Sequence, residues 1–246
     1  MAKEKTPEEL EKAAEIKARK NAQREQFKLT GLDSMSEKEI LSLFLGCSMG
    51  IKDCFEAADD LLMRFGSFRN IFDASLDSLL DLPYINGNAA FLIKGVPELC
   101  RRMLIEKRPK NKKIKTPDDA KEYLYPYFLG YNMEIAYLLL INKRYVPIKA
   151  VLLAKGGGQS VYLSAELIVR EVLMGGASAC VLAHSHPGGY AKPSVEDEIA
   201  TLKISADLSK FGITMLDHLI FSKNDCCFMS DNKNFNSSVL AFAGKK

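Results

Sequence analysis

Two of the three histidines in this 246-residue chain lie two positions apart, in His184-Ser185-His186-Pro187-Gly188-Gly189, and Asp197 follows in the same segment. Imidazole nitrogens and a carboxylate oxygen are the donors of a zinc-type site, and three of them leave a fourth position for water. Residues 179–184, Ala-Cys-Val-Leu-Ala-His, make an apolar run of strand length. Side chains two apart on a strand point the same way, so His184 and His186 project together from its end before Pro187 and two glycines stop it. Ser194-x-x-Asp197, after Pro193, has the form of a helix cap, which would fix where Asp197 points. A metal centre with an open position points to hydrolysis. The plainer alternative is polar residues at a strand end beside an ordinary cap.

The elements that must position these residues are read from periodicity. Ile135–Ile141 and Val146–Ala154 are apolar runs joined by Asn142-Lys143-Arg144-Tyr145, a hairpin signature. Gly156-Gly157-Gly158 reads as a loop, residues 164–174 as a helix, Val195–Phe211 as a second helix and Thr214–Phe221 as a strand, with Cys226–Met229 a last short one. Hairpin strands followed by alternating helices and strands predict an α/β (α+β) fold, a mixed sheet with helices packed on it.

The first half is helical. Thr6-Pro7-Glu8-Glu9 is a capping-box signal opening a polar helix to Gln26, with only a thin apolar stripe, expected as a loosely attached helix or partner-binding arm. Short helices follow, marked by Ser36-x-x-Glu39 with Leu41 and Phe44, by Phe55, Leu61 and Phe65, and by Phe68 and Ile71. A further one from Ala89 meets Pro97, which is expected to kink or divide it. The expected organisation is a charged helix or arm over 1–29, a small all-helical domain over 30–107, a basic linker over 108–120, a metal-dependent domain over 121–232 and a tail over 233–246.

Hydrophobic content of 47% supports a real core. No apolar run approaches the ~20 residues of a membrane span, and the charged N-terminus has no signal-peptide core, so a cytoplasmic protein with no membrane partner is expected. The six cysteines form no Cys-x-x-Cys pair and read as reduced thiols. The net charge is only +3. Residues 101–115, with Arg101, Arg102, Lys107 and Arg108, are nevertheless strongly basic. That run reads as a solvated helix end, or as a phosphate-binding patch that would make DNA a partner. No aromatic residue interleaves with its charges.

His184-Ser185-His186-Pro187, six residues, then Ser194-x-x-Asp197 resembles the metal-binding pattern of the JAB/MPN (JAMM) metalloproteases. The surrounding chain is most similar to the bacterial RadC branch, through Ala183-His184-Ser185-His186-Pro187-Gly188-Gly189, Pro193-Ser194, the later Leu216-Asp217-His218-Leu219-Ile220 and the helical N-terminal region, over roughly residues 30–230. The resemblance implies a cytidine-deaminase-like mixed sheet and one zinc ion per site held by His184, His186 and Asp197. It also implies a glutamate base matching Glu134, in Asn132-Met133-Glu134 before the first strand, and Ser194 as oxyanion partner. Asp217 and His218 would lie beside the metal strand as support or substrate contact. The activity implied is hydrolysis of a peptide or isopeptide-like amide in a peptide or protein substrate. A nucleic-acid-associated, DNA-repair-type protein with a structural or vestigial metal site is the alternative. Oligomeric state is left open. The His-Glu-x-x-His of helical zincins is absent, as are the His-x-Glu and Pro-Cys-x-x-Cys elements of nucleobase deaminases.

The sequence also departs from the RadC pattern. Ser185 stands where Asn is usual, Gly188-Gly189 replace Ser-Gly, and Leu163-Ser164 replace a His-Pro pair. Leu79–Ile93 resembles a helix-hairpin-helix element, but Tyr84 and Asn86 replace the glycines that would let backbone amides approach a phosphate.

Overall fold

The computed structural model describes residues 6–48, 54–109, 111–156, 164–223 and 225–243; Gly157, Gly158 and Leu163 lie outside these. The chain divides into two compact units, Met1–Glu98 and Leu99–Lys246.

The first unit is helical: α1 (Pro7–Thr30), α2 (Glu37–Ser48), α3 (Cys54–Phe65), α4 (Phe68–Asp73), α5 (Leu76–Leu80) and the start of α6 (Gly87–Glu106). Its core gathers Leu41, Leu45, Phe55, Leu61, Ile71, Leu79 and Ile93. Helix α1 opens with the expected capping box at Thr6 and Glu9. It is tied to α2 by polar contact: buried Gln23 donates to Ser42 Oγ at 2.7 Å and to the Glu39 carbonyl at 3.3 Å. Pro97 does not divide α6, which continues through it as one helix.

The second unit is built on one mixed sheet. Its strands are β1 (Ile135–Ile141), β2 (Pro147–Lys155), β3 (Ala179–His186), β4 (Thr214–Ser222) and β5 (Cys226–Phe228), in the order β2-β1-β3-β4-β5. Only the β3/β4 pair is parallel. Strand β1 is buried along its whole length and β3 at all but its last residue, as continuous apolar strands covered on both faces should be. One face packs Ile135, Tyr137, Leu139, Val181 and Ala183 against Ile114, Ala120 and Leu124, the last two on α7 (Pro117–Leu124). The other packs Leu138, Leu140, Cys180 and Leu182 against Ile168 and Val172 of α8 (Ala165–Met174) and Ile204 and Leu208 of α9 (Val195–Ser209).

Two segments expected to lie outside the domain belong to its core. Ile114 and Ala120 of the expected linker are fully buried, and the Ile114 amide donates to the Tyr145 carbonyl. In the expected tail, Phe235, Leu240 and Phe242 are buried, and the Ala241 and Phe242 amides donate to Met215 and Leu216 of β4. Few apolar residues among many polar ones carried too weak a periodic signal to reveal either.

Gly175 ends α8 against β1. A Cβ there would stand 2.3 Å from Leu140 Cδ1 and 3.0 Å from the Glu171 carbonyl oxygen. Because Leu140 is itself fully buried, Gly175→Ala is expected to destabilise the second unit by about 1–3 kcal/mol through overpacking. Urea denaturation checks this; an unchanged midpoint would show that α8 shifts freely.

Candidate metal centre

Alternation along two paired strands brings the candidate residues together. On β3, Cys180 and Leu182 face α8 and α9, so His184 and His186 continue that face beyond the apolar core. Helix α9 starts there, and Asp197 lies in its first turn. Donor atoms of His184, His186 and Asp197 lie within 4.8 Å of one another. The two Nε2 atoms are 2.9 Å apart. His184 Nε2 is 3.2 Å from Asp197 Oδ1, and His186 Nε2 is 3.6 Å from Oδ2. Tetrahedral bonds of about 2.0–2.1 Å space their donors about 3.4 Å apart, so this set fits a small divalent ion without rearranging the backbone.

Asp197 is fixed by its own helix start. Ser194 is the N-cap, and its Oγ accepts from the Asp197 amide. Asp197 Oδ2 in turn accepts from the Ser194 amide at 2.8 Å and from Ser194 Oγ at 2.7 Å. That leaves Oδ1 directed at His184. Burial alone would raise this carboxyl's pKa, but hydrogen bonds from His184 and Ser194 outweigh it and hold Asp197 well below the usual carboxylate range. The expected cap and the expected ligand are thus one device.

Behind the donors is a buried polar chain. The bulge in β4 between its pairings to Cys180 and Val181 sets His218 opposite Leu182, on the His184 face. His218 Nε2 lies 2.8 Å from His184 Nδ1, and His218 Nδ1 lies 2.6 Å from Thr201 Oγ1. Thr201, one turn after Asp197, donates to the Asp197 carbonyl at 2.7 Å. Burial pushes the His218 pKa well below the ordinary imidazole value, so the ring is neutral. With the Thr201 proton on that carbonyl, His218 donates from Nδ1 and accepts at Nε2 from His184 Nδ1–H. His184 Nε2 is left on the side of Asp197 and His186. His218 supports His184 from behind. Thr201, absent from the sequence expectation, was visible only as the i+4 neighbour of Asp197.

Asp217 points elsewhere. Its carboxylate accepts from the His218 amide, the Ser230 amide and Ser230 Oγ. Burial pushes its pKa up to about 6 against these bonds, so Asp217 serves as an anchor for the segment after β5.

Glu134 immediately precedes β1. Ala136 pairs with His184 in an antiparallel register without a shift, so that register, continued by two residues, sets Glu134 opposite His186. Residues directly opposite share a face, which puts Glu134 on the face of the histidines.

Two members of the basic run are engaged within the second unit. The Arg108 guanidinium stacks over Tyr123 and Tyr127, 4.2 and 4.7 Å from their ring centroids, and Lys112 pairs with Glu122 and Asp119. Lys107 is exposed, Arg102 lies exposed on α6, and Arg101 is half-buried there. In the hairpin-like segment Tyr84 and Asn86 do not take up left-handed backbone: among the described non-glycine residues only Tyr145 has positive φ. Asn86 Oδ1 accepts the Ala89 amide at 3.0 Å, an N–H that a phosphate would otherwise use. Among the described residues no helix is long and apolar enough to cross a membrane.

Residues 114–234 match the family model of the RadC-like JAB domain. This stretch resembles a RadC-like JAB domain. A UPF0758 protein of Thioalkalivibrio sulfidiphilus is 29% identical over 197 residues, covering 80% of this chain and 88% of that relative. The domain match takes in every candidate residue from Glu134 to His218 and leaves the α1–α5 region outside it.

The raised Asp217 pKa sets a pH dependence. Folded Asp217 holds its proton up to about pH 6, whereas the unfolded carboxyl releases it near ~3.9. The folded state therefore binds more protons between those values, and stability contributed by this group falls as pH rises from about 4 to 6. Wild type should lose about 1–3 kcal/mol relative to Asp217→Asn across that window. Parallel urea-midpoint curves for the two proteins would refute this.

Proposed function

We propose that this chain is a metal-dependent hydrolase that cleaves a peptide or isopeptide-like amide, with one zinc ion per site. The observation that carries the proposal is the donor cluster of His184, His186 and Asp197 with Glu134 in register opposite His186. Two imidazoles and a carboxylate suit zinc. The ion would supply Lewis acidity, making a water nucleophilic near neutral pH and polarising the scissile carbonyl.

The chain's own residues do the rest. The Glu134 carboxylate takes the proton of the attacking water and returns it to the nitrogen of the leaving amine, as one group on one face can. The half-buried Asp197 carboxylate and the His184–His218 contact keep the donor atoms turned toward one point. Ser194 donates to Asp197 Oδ2 at rest; stabilising a developing oxyanion would require its hydroxyl to turn from Asp197 to the substrate. The match of residues 114–234 to the RadC-like JAB domain model supports this reading, as does the fit of the donor spacing. The candidate residues from Glu134 to His218 all lie within the matched stretch 114–234.

Metal analysis should find about one zinc per wild-type chain and a small fraction of that in His184→Ala/His186→Ala. Equal metal in both would overturn the site. In cleavage profiling on a peptide library, Glu134→Gln should keep its metal and lose about 10²–10⁴-fold in rate. Retained turnover would remove Glu134 as the base.

A further inference from the structure

Strand β3 ends at His186, where Pro187 and the glycines turn the chain away, yet β1 must hold its alignment one residue before its own start to present Glu134. The backbone pairs recorded between these strands run from Ile141 with Ala179 to Ala136 with His184. Beyond that pair a side chain takes over. Ser185 is 8% exposed. Its Oγ accepts from the Ile135 amide at 3.1 Å and donates to the Met133 carbonyl at 3.3 Å. These are the backbone groups on either side of Glu134. From the opposite edge the Gly156 amide donates to the Glu134 carbonyl at 2.7 Å.

We propose that Ser185 is the residue that positions Glu134, its single hydroxyl clasping the chain on both sides of the base and holding it opposite His186. The proposal rests on the reading of Glu134 as the base and says how that base is kept in place. The geometry asks for a group that donates and accepts at one point. A hydroxyl does both from one atom; a methyl does neither. Removing it leaves the buried Ile135 N–H and the part-buried Met133 carbonyl without this partner, and that cost falls on the three residues 133–135. His184 and His186 lie on the other face of β3 and keep their own partners, so loss of Ser185 separates base position from metal binding.

The test uses the full chain as wild type, Ser185→Ala, Ser185→Thr and Glu134→Gln, each loaded with Co²⁺ as a paramagnetic probe. In Ser185→Ala the Ile135 amide should exchange about 3- to 10-fold faster, the effect of one lost hydrogen bond. The cobalt-induced shifts of the Glu134 and Ile135 amides should move while those of Leu138 and Leu182 stay. Zinc affinity should change less than about 3-fold, because the ligands are untouched. Ser185→Thr, which keeps the hydroxyl on a β-branched side chain suited to a strand, should restore both the exchange rate and the shifts. Unchanged Ile135 exchange and unchanged Glu134 shifts in Ser185→Ala would overturn the proposal, as would changes spread evenly over the sheet. Failure of the underlying reading looks different. Absence of cobalt shifts in wild type removes the metal site, and full cleavage by Glu134→Gln removes the base. In either case the Ile135 exchange result still decides whether Ser185 holds this strand end.

Discussion

The site depends on one constraint, the unbroken antiparallel register between β1 and β3. Six consecutive pairs fix Ala136 against His184, and two-residue alternation carries the same face outward to Glu134 on one strand and His186 on the other. A slip of one residue would turn the acid to the opposite face from the imidazoles. The register is hard to slip because both strands are buried on both faces, so a shift would exchange two packed layers of side chains at once. The core thus does more than stabilise the domain: through ordinary packing of Leu138, Leu140 and Leu182 it sets Glu134 in register with the His184, His186 and Asp197 cluster.

A second layer of control comes from groups that never reach the open position. His218, Thr201 and the Asp197 carbonyl form a chain that ends on the same helix turn as the Asp197 carboxylate. The β4 strand and the α9 start are therefore coupled through a neutral ring, and a displacement of either would be felt at His184. The β4 bulge is what makes this coupling available, since without its extra residue His218 would face the other layer.

The sequence made the cluster of His184, His186 and Asp197 legible because its signal is local: a His-x-His on one strand and a cap on the following helix. The sheet was legible for the same reason, from apolar runs of strand length. What escaped was non-local. Nothing in the isolated segment around Thr201 links it to His218, and the β4 bulge has no signature of its own. The burial of Ile114 and Phe242 depends on a sheet face formed by strands far away in the chain. Ser185 was visible as a residue between two ligands, but its partners lie some fifty positions earlier. The basic run shows the converse: a local charge pattern looked outward, while in the fold Arg108 lies on two tyrosines and Lys112 faces two acids.

Ser194 brings these threads to a single atom. Its Oγ caps α9 by accepting from the Asp197 amide and directs its proton to Asp197 Oδ2. As a cap it holds the ligand; as an oxyanion donor it would have to release it. The two tasks conflict only if Oδ2 has no other donor, and the Ser194 amide at 2.8 Å supplies one. The hydroxyl proton can therefore turn toward a substrate oxygen while the amide keeps Asp197 in place. A carboxylate held twice by one residue, once through backbone and once through side chain, stays in place when that side chain turns away.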